Sequence, residues 1–385
     1  MRKFEKVLLS FGLLVCTACS GKSSEAVSVS SASEEETAEE TPTPVLEPVV
    51  SEATMFLCGD ALLHMTVNYD SEVGDGTYNY QHILERLAAI SNSYDLSYYN
   101  QETLLAGEAF GYSGYPQFNS PQDWGDYMID YCGFDLVSTA NNHCLDRGTD
   151  GIIASLDYWE TKDAITAGTN RTQEEYDTIR YGSVNGISYA FLSWCENMNG
   201  FQCPEGMEYM VNCFGNDDGE AMLAQVREAK KNADVVILAI HWGVEYSTYP
   251  EEWQQELARE LADAGADIII GNHPHMIQPV EWIGDTICFY ALGNIIAAQY
   301  DDSRIGILAS LKITKTESEL MKNVEISDVK CDLHYTYYRD YWIDNFDIIP
   351  FSQMDDDHLY GYQDTYNRMI QIVTAMDDSI EIGGF

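Results

Sequence analysis

Six apolar runs of strand length in this chain each lead into side chains that can ligate a metal or carry a proton. MFLCG runs into Asp60, and LSYY into Asn100 and Glu102. LVSTA runs into Asn141, Asn142 and His143, and VILAI into His241. IIIG runs into His273 and His275, and CFYALG into Asn294. Apolar runs this continuous signal strands buried on both faces. The amphipathic stretches between them, residues 81–93, 217–232 and 250–264, signal helices that cover a sheet. In open α/β sheets, ligands bind beyond the carboxyl ends of the strands. The six sets of polar residues are therefore expected to meet at one edge of an α/β fold.

The residue types narrow the chemistry. Five of the eight histidines, namely His64, His143, His241, His273 and His275, follow strand-end runs, whereas His82, His334 and His358 do not. Two of the five sit one residue apart in the segment GNHPH, where paired imidazoles cost desolvation unless something binds them. Asp, Glu, Asn and His together suit divalent Mn, Fe or Zn. The set is large enough for two ions, which a bridging carboxylate would hold roughly 3.5–4 Å apart. Proline restricts the residue before it, so Pro274 is expected to hold His273 extended and to aim both imidazoles to one side.

The segments GDALLH, YNQE, STANNHCLDRGTDGI, IHWGVEY, GADIIIGNHPHMIQPVE and YALGNII, in this order, resemble the CapA family of poly-γ-glutamate capsule biosynthesis proteins. The resemblance covers about residues 53–315. It implies a calcineurin-like metallophosphatase fold, an αββα sandwich of two mixed sheets flanked by helices. It also implies roles. Asp60 and His275 would bind one metal, Glu102 would bridge, and Asn142, His241 and His273 would bind the second. His143 would act as acid or transition-state stabiliser, oriented by Asp146. The chain departs from the metallophosphatase pattern at its first motif, because no His stands two residues after Asp60; His64 stands four residues on. Cys144 is discounted as a nucleophile, since neighbours on a loop rarely face each other. Glu245 is read either as reaching the site or as capping the next helix. For Asn294 a turn after Gly293 is the favoured reading.

The ends of the chain read differently. Arg2, Lys3 and Lys6 precede a short apolar run and the sequence Thr17-Ala18-Cys19. This resembles a lipoprotein signal over 1–19, with Cys19 as the lipidated residue. Residues 20–52, rich in Ser, Glu, Thr and Pro, are expected to form a solvated tether. The resemblance assigns residues 53–315 to a CapA-type domain, and 316–385 are expected to be an extension packed on it, with a final helix over 363–376. The expected location is the extracytoplasmic face of the cell membrane, held by a lipid anchor. In an exported chain, Cys195, Cys203 and Cys213 are the cysteines expected to include a bridge. A formal net charge of −43 repels nucleic acid and anionic lipid. The signal implies the membrane as a partner through the lipid anchor. The resemblance implies capsule-synthesis machinery and an anionic polymer, which would be repelled except near the metals. Three functions stay open: synthesis, export or tethering of a surface polymer; a metal-dependent ectophosphoesterase; and a non-catalytic surface binding or scaffold protein.

Overall fold

The structure, a computed structural model, describes residues 47–215 and 219–385. Cys19, the 1–19 signal and the greater part of the 20–52 tether lie outside the described residues. Among those described, nine strands form one sheet and six form a second. In the first, Val49–Leu62 pairs in parallel with Leu96–Gln101, followed by Leu136–Ser138 and Ile165–Ala167. On its other side it pairs antiparallel with Ile305–Glu317, followed by Lys322–Arg339 and Asp344–Pro350. In the second sheet, Ile187–Cys195, Val235–His241, Ile268–Asn272 and Thr286–Phe289 run parallel, with antiparallel edges at Arg180–Val184 and Val280–Ile283. Both sheets are mixed.

The period of two along each strand decides the layering. Met55, Leu57, Tyr98 and Leu136 of the first sheet meet Phe191, Ile237, Ile270 and Phe289 of the second in one core. The alternate residues Phe56, Cys58, Tyr99 and Val137 face outward onto Ile83, Leu84 and Leu87 of the helix Gln81–Ser91. On the opposite outer face, Val236, Leu238 and Ile269 pack on Val226 of Glu220–Asn232 and on Leu257 and Leu261 of Glu252–Ala264. The result is the helix–sheet–sheet–helix sandwich. Each fully buried aliphatic side chain contributes about 1.5–3 kcal/mol of transfer free energy, so truncating Ile237 or Ile270 to Ala would cost about 2–5 kcal/mol.

Three features differ from the sequence reading. The first strand begins at Val49, not 53, because Val49 to Glu52 pair with Glu317 to Thr314. Residues 316–385, read as an extension packed on the domain, go further and take part in its sheet: Lys322–Arg339 and Asp344–Pro350 continue the first sheet, while Tyr362–Val373 supplies Met369 and Val373 to the inter-sheet core. The segment PQDWGDYMIDYC, whose leading proline and apolar spacing argue for a single helix, is an α-turn over Asp123–Asp126 that passes into a π-helical turn over Tyr127–Tyr131.

The returning hairpin is tied down by one carboxylate. Asp70 accepts hydrogen bonds from the Asn345 and Phe346 backbone amides, at 2.7 and 2.9 Å, and lies 3.0 Å from His82 Nε2. The Asp70 bond raises the His82 pKa. Burial pushes the Asp70 carboxyl up, but the bonds it accepts outweigh that and hold it below the usual value. The His82 contribution is complete below its unfolded pKa of about 6.5 and fades as pH rises through the folded value. The Asp70 contribution is complete above about 3.8 and fades as pH falls through its folded value. His82→Gln is therefore expected to lower the melting temperature by about 1–3 °C near pH 5.5 and by less at pH 8.5. Thermal melts that show equal losses at the two pH values would contradict the pairing.

Candidate metal centre

The carboxyl ends of strands from both sheets deliver the polar residues to one place. Asp60 sits inside the first strand, at a point where its register shifts against both parallel neighbours. Such a bulge re-aims a side chain. Gly59 just before it allows the close approach: a Cβ there would overlap the Gly293 carbonyl oxygen, which instead accepts the Asp60 N–H at 2.9 Å. Gly271, the first residue of GNHPH, plays the same part against the Tyr290 carbonyl. Glu102 follows Leu96–Gln101, and His241 is the last residue of Val235–His241. Asn142, His143 and Asp146 lie on the turn after Leu136–Ser138.

Two groups of side chains bring their ligand atoms within 4.8 Å of one another: Asp60, Glu102 and His275, and Glu102, His241 and His273. Glu102 belongs to both. Its Oε1 lies 3.6 Å from His241 Nε2 and its Oε2 lies 3.8 Å from His275 Nδ1. Asn142 Oδ1 joins the second group at 3.0 Å from His241 Nε2, and His273 Nδ1 lies 3.1 Å from the same nitrogen. All are buried, with Asp60 and Glu102 at 0% exposure.

The electrostatics fit a divalent cation. Burial lowers His241 well below the usual imidazole range and brings His273 to about 4 and His275 to about 3. These rings are neutral, so their approach to Glu102 is not ion pairing. Burial, and then the neighbouring Asp60, raises Glu102 far above the usual carboxyl range. Asp60 is raised to about 7 by burial, against the bonds it accepts from His273 N and Asn100. Both Glu102 oxygens lack any hydrogen-bond partner, although buried carboxylates are nearly always paired or bound to metal. Neutral imidazole nitrogens beside unpartnered carboxylate oxygens are the donor set of a borderline or hard divalent ion.

His143 stands beside the two groups. Its Nδ1 lies 2.8 Å from Asp146 Oδ2, which also accepts the Phe118 N–H at 2.6 Å. The Phe118 ring meets the imidazole edge-on at 4.7 Å. An Nδ1–H donated to Asp146 leaves Nε2 as the nitrogen open to a reacting group. That nitrogen is 3.5 Å from Asn199 Nδ2, and Asn199 Oδ1 accepts from Asn142 at 3.3 Å. The sequence reading missed Asn199. Applying the strand-end rule to the Asn-rich stretch after Ile187–Cys195 would have pointed to it.

Other expectations change. His273 is not extended: its φ is +99°, and His275 has φ +58°. The bond from His273 N–H to Asp60 Oδ2 at 3.0 Å and the approach of the ring to His241 override the pre-proline preference. Positive φ at two non-glycine residues costs of order 1–3 kcal/mol each and persists where surroundings over-determine it. Asn294 is more than a turn residue, since its Oδ1 lies 3.0 Å from His275 Nδ1. His64 is outside both ligand groups; its Nδ1 accepts the Ala298 N–H at 3.2 Å. Cys144 is buried and burial pushes its thiol up. Glu245 is exposed, and the cap of the next helix is Glu251 with Gln254.

A buried carboxyl raised by its surroundings stabilises the fold less as pH climbs past its unfolded value of about 4.3. In chelator at pH 8, Glu102→Gln is therefore expected to melt a few degrees above the parent chain. Added Mn²⁺ or Zn²⁺ should raise the melting temperature of the parent and leave the variant unmoved. A variant that melts lower in chelator, or gains equally from metal, would remove Glu102 from the centre.

Residues 54–299 match the family described as Bacterial capsule synthesis protein PGA_cap. The PGA biosynthesis protein CapA of Bacillus subtilis (strain 168) is 36% identical over 169 residues, 43% of this chain and 43% of that protein. The capsule biosynthesis protein CapA of Bacillus anthracis is 33% identical over 171 residues, 43% of this chain and 41% of that protein. The matched part is thus about two fifths of the length of either relative. A crystal structure of a hypothetical protein from Thermus thermophilus overlaps 72% of this chain and 98% of its own at 14% identity, with a TM-score of 0.39, too distant to bear on function. The match of 54–299 takes in every residue of the two ligand groups, and with it His143 and Asp146: the chain belongs to the PGA_cap family of bacterial capsule synthesis proteins.

Proposed function

We propose that this chain acts at the extracytoplasmic face of the membrane, anchored through Cys19, in the synthesis, export or tethering of poly-γ-glutamate or a related anionic surface polymer, with a centre for two divalent metal ions. The observation that carries the metal reading is Glu102, shared by two ligand groups with neither oxygen otherwise partnered. The polymer reading rests on the family and on the names of the two CapA relatives. Charge neither proves nor excludes it. A chain at −43 repels a polyanion everywhere except where bound cations reverse the local field.

In this reading Asp60 and His275 would hold one ion, Asn142, His241 and His273 would hold the other, and Glu102, which belongs to both groups, would serve both. Bound divalent cations would supply Lewis-acid polarisation of an anionic oxygen. The protein's own part is positional. Asp146 fixes the His143 tautomer, so that Nε2 can hold or deliver a proton at the ligand, and the buried ligand shell keeps bulk water out. The His143–Asp146 pair also favours a second reading, a metal-dependent phosphoesterase acting outside the cell, because a scaffold has no need of an oriented general acid.

Elemental analysis should find two metal equivalents, falling by about one in His273→Ala and in His275→Ala. His143→Ala should keep both and lose any hydrolysis of a chromogenic phosphodiester. Cells carrying Glu102→Gln in place of the parent gene should show reduced surface polymer, measured as glutamate released by acid hydrolysis. Undiminished polymer with a metal-free Glu102→Gln protein would refute the polymer reading, and hydrolysis of the phosphodiester by the metal-loaded parent chain would then favour the esterase. Detergent phase partitioning of the parent chain against Cys19→Ala tests the anchor. Equal partition into the aqueous phase would defeat it.

A further inference from the structure

Four of the eight cysteines of the described residues gather beside the metal centre. Cys144, Cys195, Cys203 and Cys213 pack in one cluster with Met198, Met207 and Met210. None of the eight is in a disulfide here. The cluster lies where residues 196–212 leave the second sheet and return to it. Cys195 closes the strand Ile187–Cys195 and pairs in register with the ligand His241, whose carbonyl accepts the Glu196 N–H at 2.9 Å. The chain then comes back so that Cys213 forms a parallel bridge with Cys195. Cys195 N–H donates to Asn212 O and Phe214 N–H to Cys195 O, both at 2.9 Å.

We propose that Cys195 and Cys213 are a disulfide-forming pair, and that the bond closes the 196–212 segment at its roots and so fixes the seat of Asn199 against His143 and Asn142. Backbone pairing sets the geometry. Neighbouring strands run about 4.8 Å apart, within the roughly 4.4–6.8 Å Cα separation that a disulfide needs. Cys203 is the competitor. It packs in the same cluster but sits in irregular chain, where no backbone pairing fixes its distance from either partner. Asn199 gives the bond its consequence. Its contacts with His143 Nε2 and Asn142 Nδ2 sit on a segment that leaves the second sheet at Cys195 and returns to it at Cys213, with the returning limb also held by Asn212 N–H on Gly168 O and Asn170 N–H on Met210 O.

The reaction is thiol–disulfide exchange with a small-molecule or protein disulfide. Cys213 is half-buried and Cys195 fully buried, so exchange begins at Cys213. Its thiolate attacks one donor sulfur and expels one donor thiolate. Cys195 then attacks the Cys213 sulfur of the mixed disulfide and expels the second. Two cysteine thiols are oxidised, one donor disulfide is reduced to two thiols, and the two cysteine protons pass to the expelled thiolates.

The test uses the whole purified chain with oxidised glutathione, followed by alkylation, digestion and mass spectrometry without reduction. It is independent of where the cell places the protein, so it can fail while the anchoring proposal stands, and the reverse. The expected product is a Cys195–Cys213 linked peptide, kept in Cys203→Ser and lost in Cys213→Ser. A protease cut within 196–212 should leave the two halves joined until reductant is added. A link through Cys203 or Cys144, or full alkylation of Cys195 and Cys213 after the treatment, would overturn the proposal.

Discussion

The Glu102 carboxyl group is buried to 0% exposure with no donor on either oxygen, and much of the architecture exists to hold it there. Its surroundings are neutral imidazoles and a second carboxyl, Asp60. A buried carboxyl without partners costs free energy whether it ionises or takes up a proton against its ordinary pKa, so the site is unfavourable for the chain that builds it. The cost is carried by three apolar layers that fix the strands whatever stands at their ends. Local distortions add to it: the bulge at Asp60 and the positive φ at His273 and His275. A site that only stabilised the fold would have shed these features, because replacing buried unpaired polar groups by apolar ones is neutral or better.

How much of this was legible in the sequence follows from which forces are local. Sheets covered by helices were readable because strands buried on both faces must be apolar at nearly every position, as in VILAI and IIIG, whereas the stacking of two such sheets came from the family resemblance. The ligand groups were readable because a parallel strand ends at the same edge as its neighbours, so one polar residue after each run is enough to predict that they converge. The backbone at GNHPH was not. Pro274 argues for an extended His273, but the preference is worth less than a hydrogen bond to a buried carboxylate together with the approach to His241. Asn199 escaped because its strand ends in Trp194-Cys195 and the residue that meets His143 lies four further on, in a turn. The strands after Lys322 escaped because their alternation is diluted by Asp, Lys and Tyr, as suits a sheet margin with one face partly open to solvent.

The PGA_cap match ends at residue 299, yet the site does not. Asn294, which meets His275, donates from Nδ2 to Ser303 O at 2.9 Å. The next residue, Arg304, is buried against the rings of Tyr335 and Tyr338, with 4.5 and 3.8 Å to their centroids, and donates to the carbonyls of Thr336 and Tyr338. A desolvated guanidinium over two aromatic faces is worth about 2 kcal/mol or more. It fastens the segment below Asn294 to the long strand Lys322–Arg339. The chain of contacts His275, Asn294, Ser303, Arg304 and Tyr338 therefore runs from a ligand group into strands that the family match does not reach. The region beyond 299 is part of the support of the centre: the orientation of His275 depends on a residue whose own neighbours are anchored some 40 positions further along the chain.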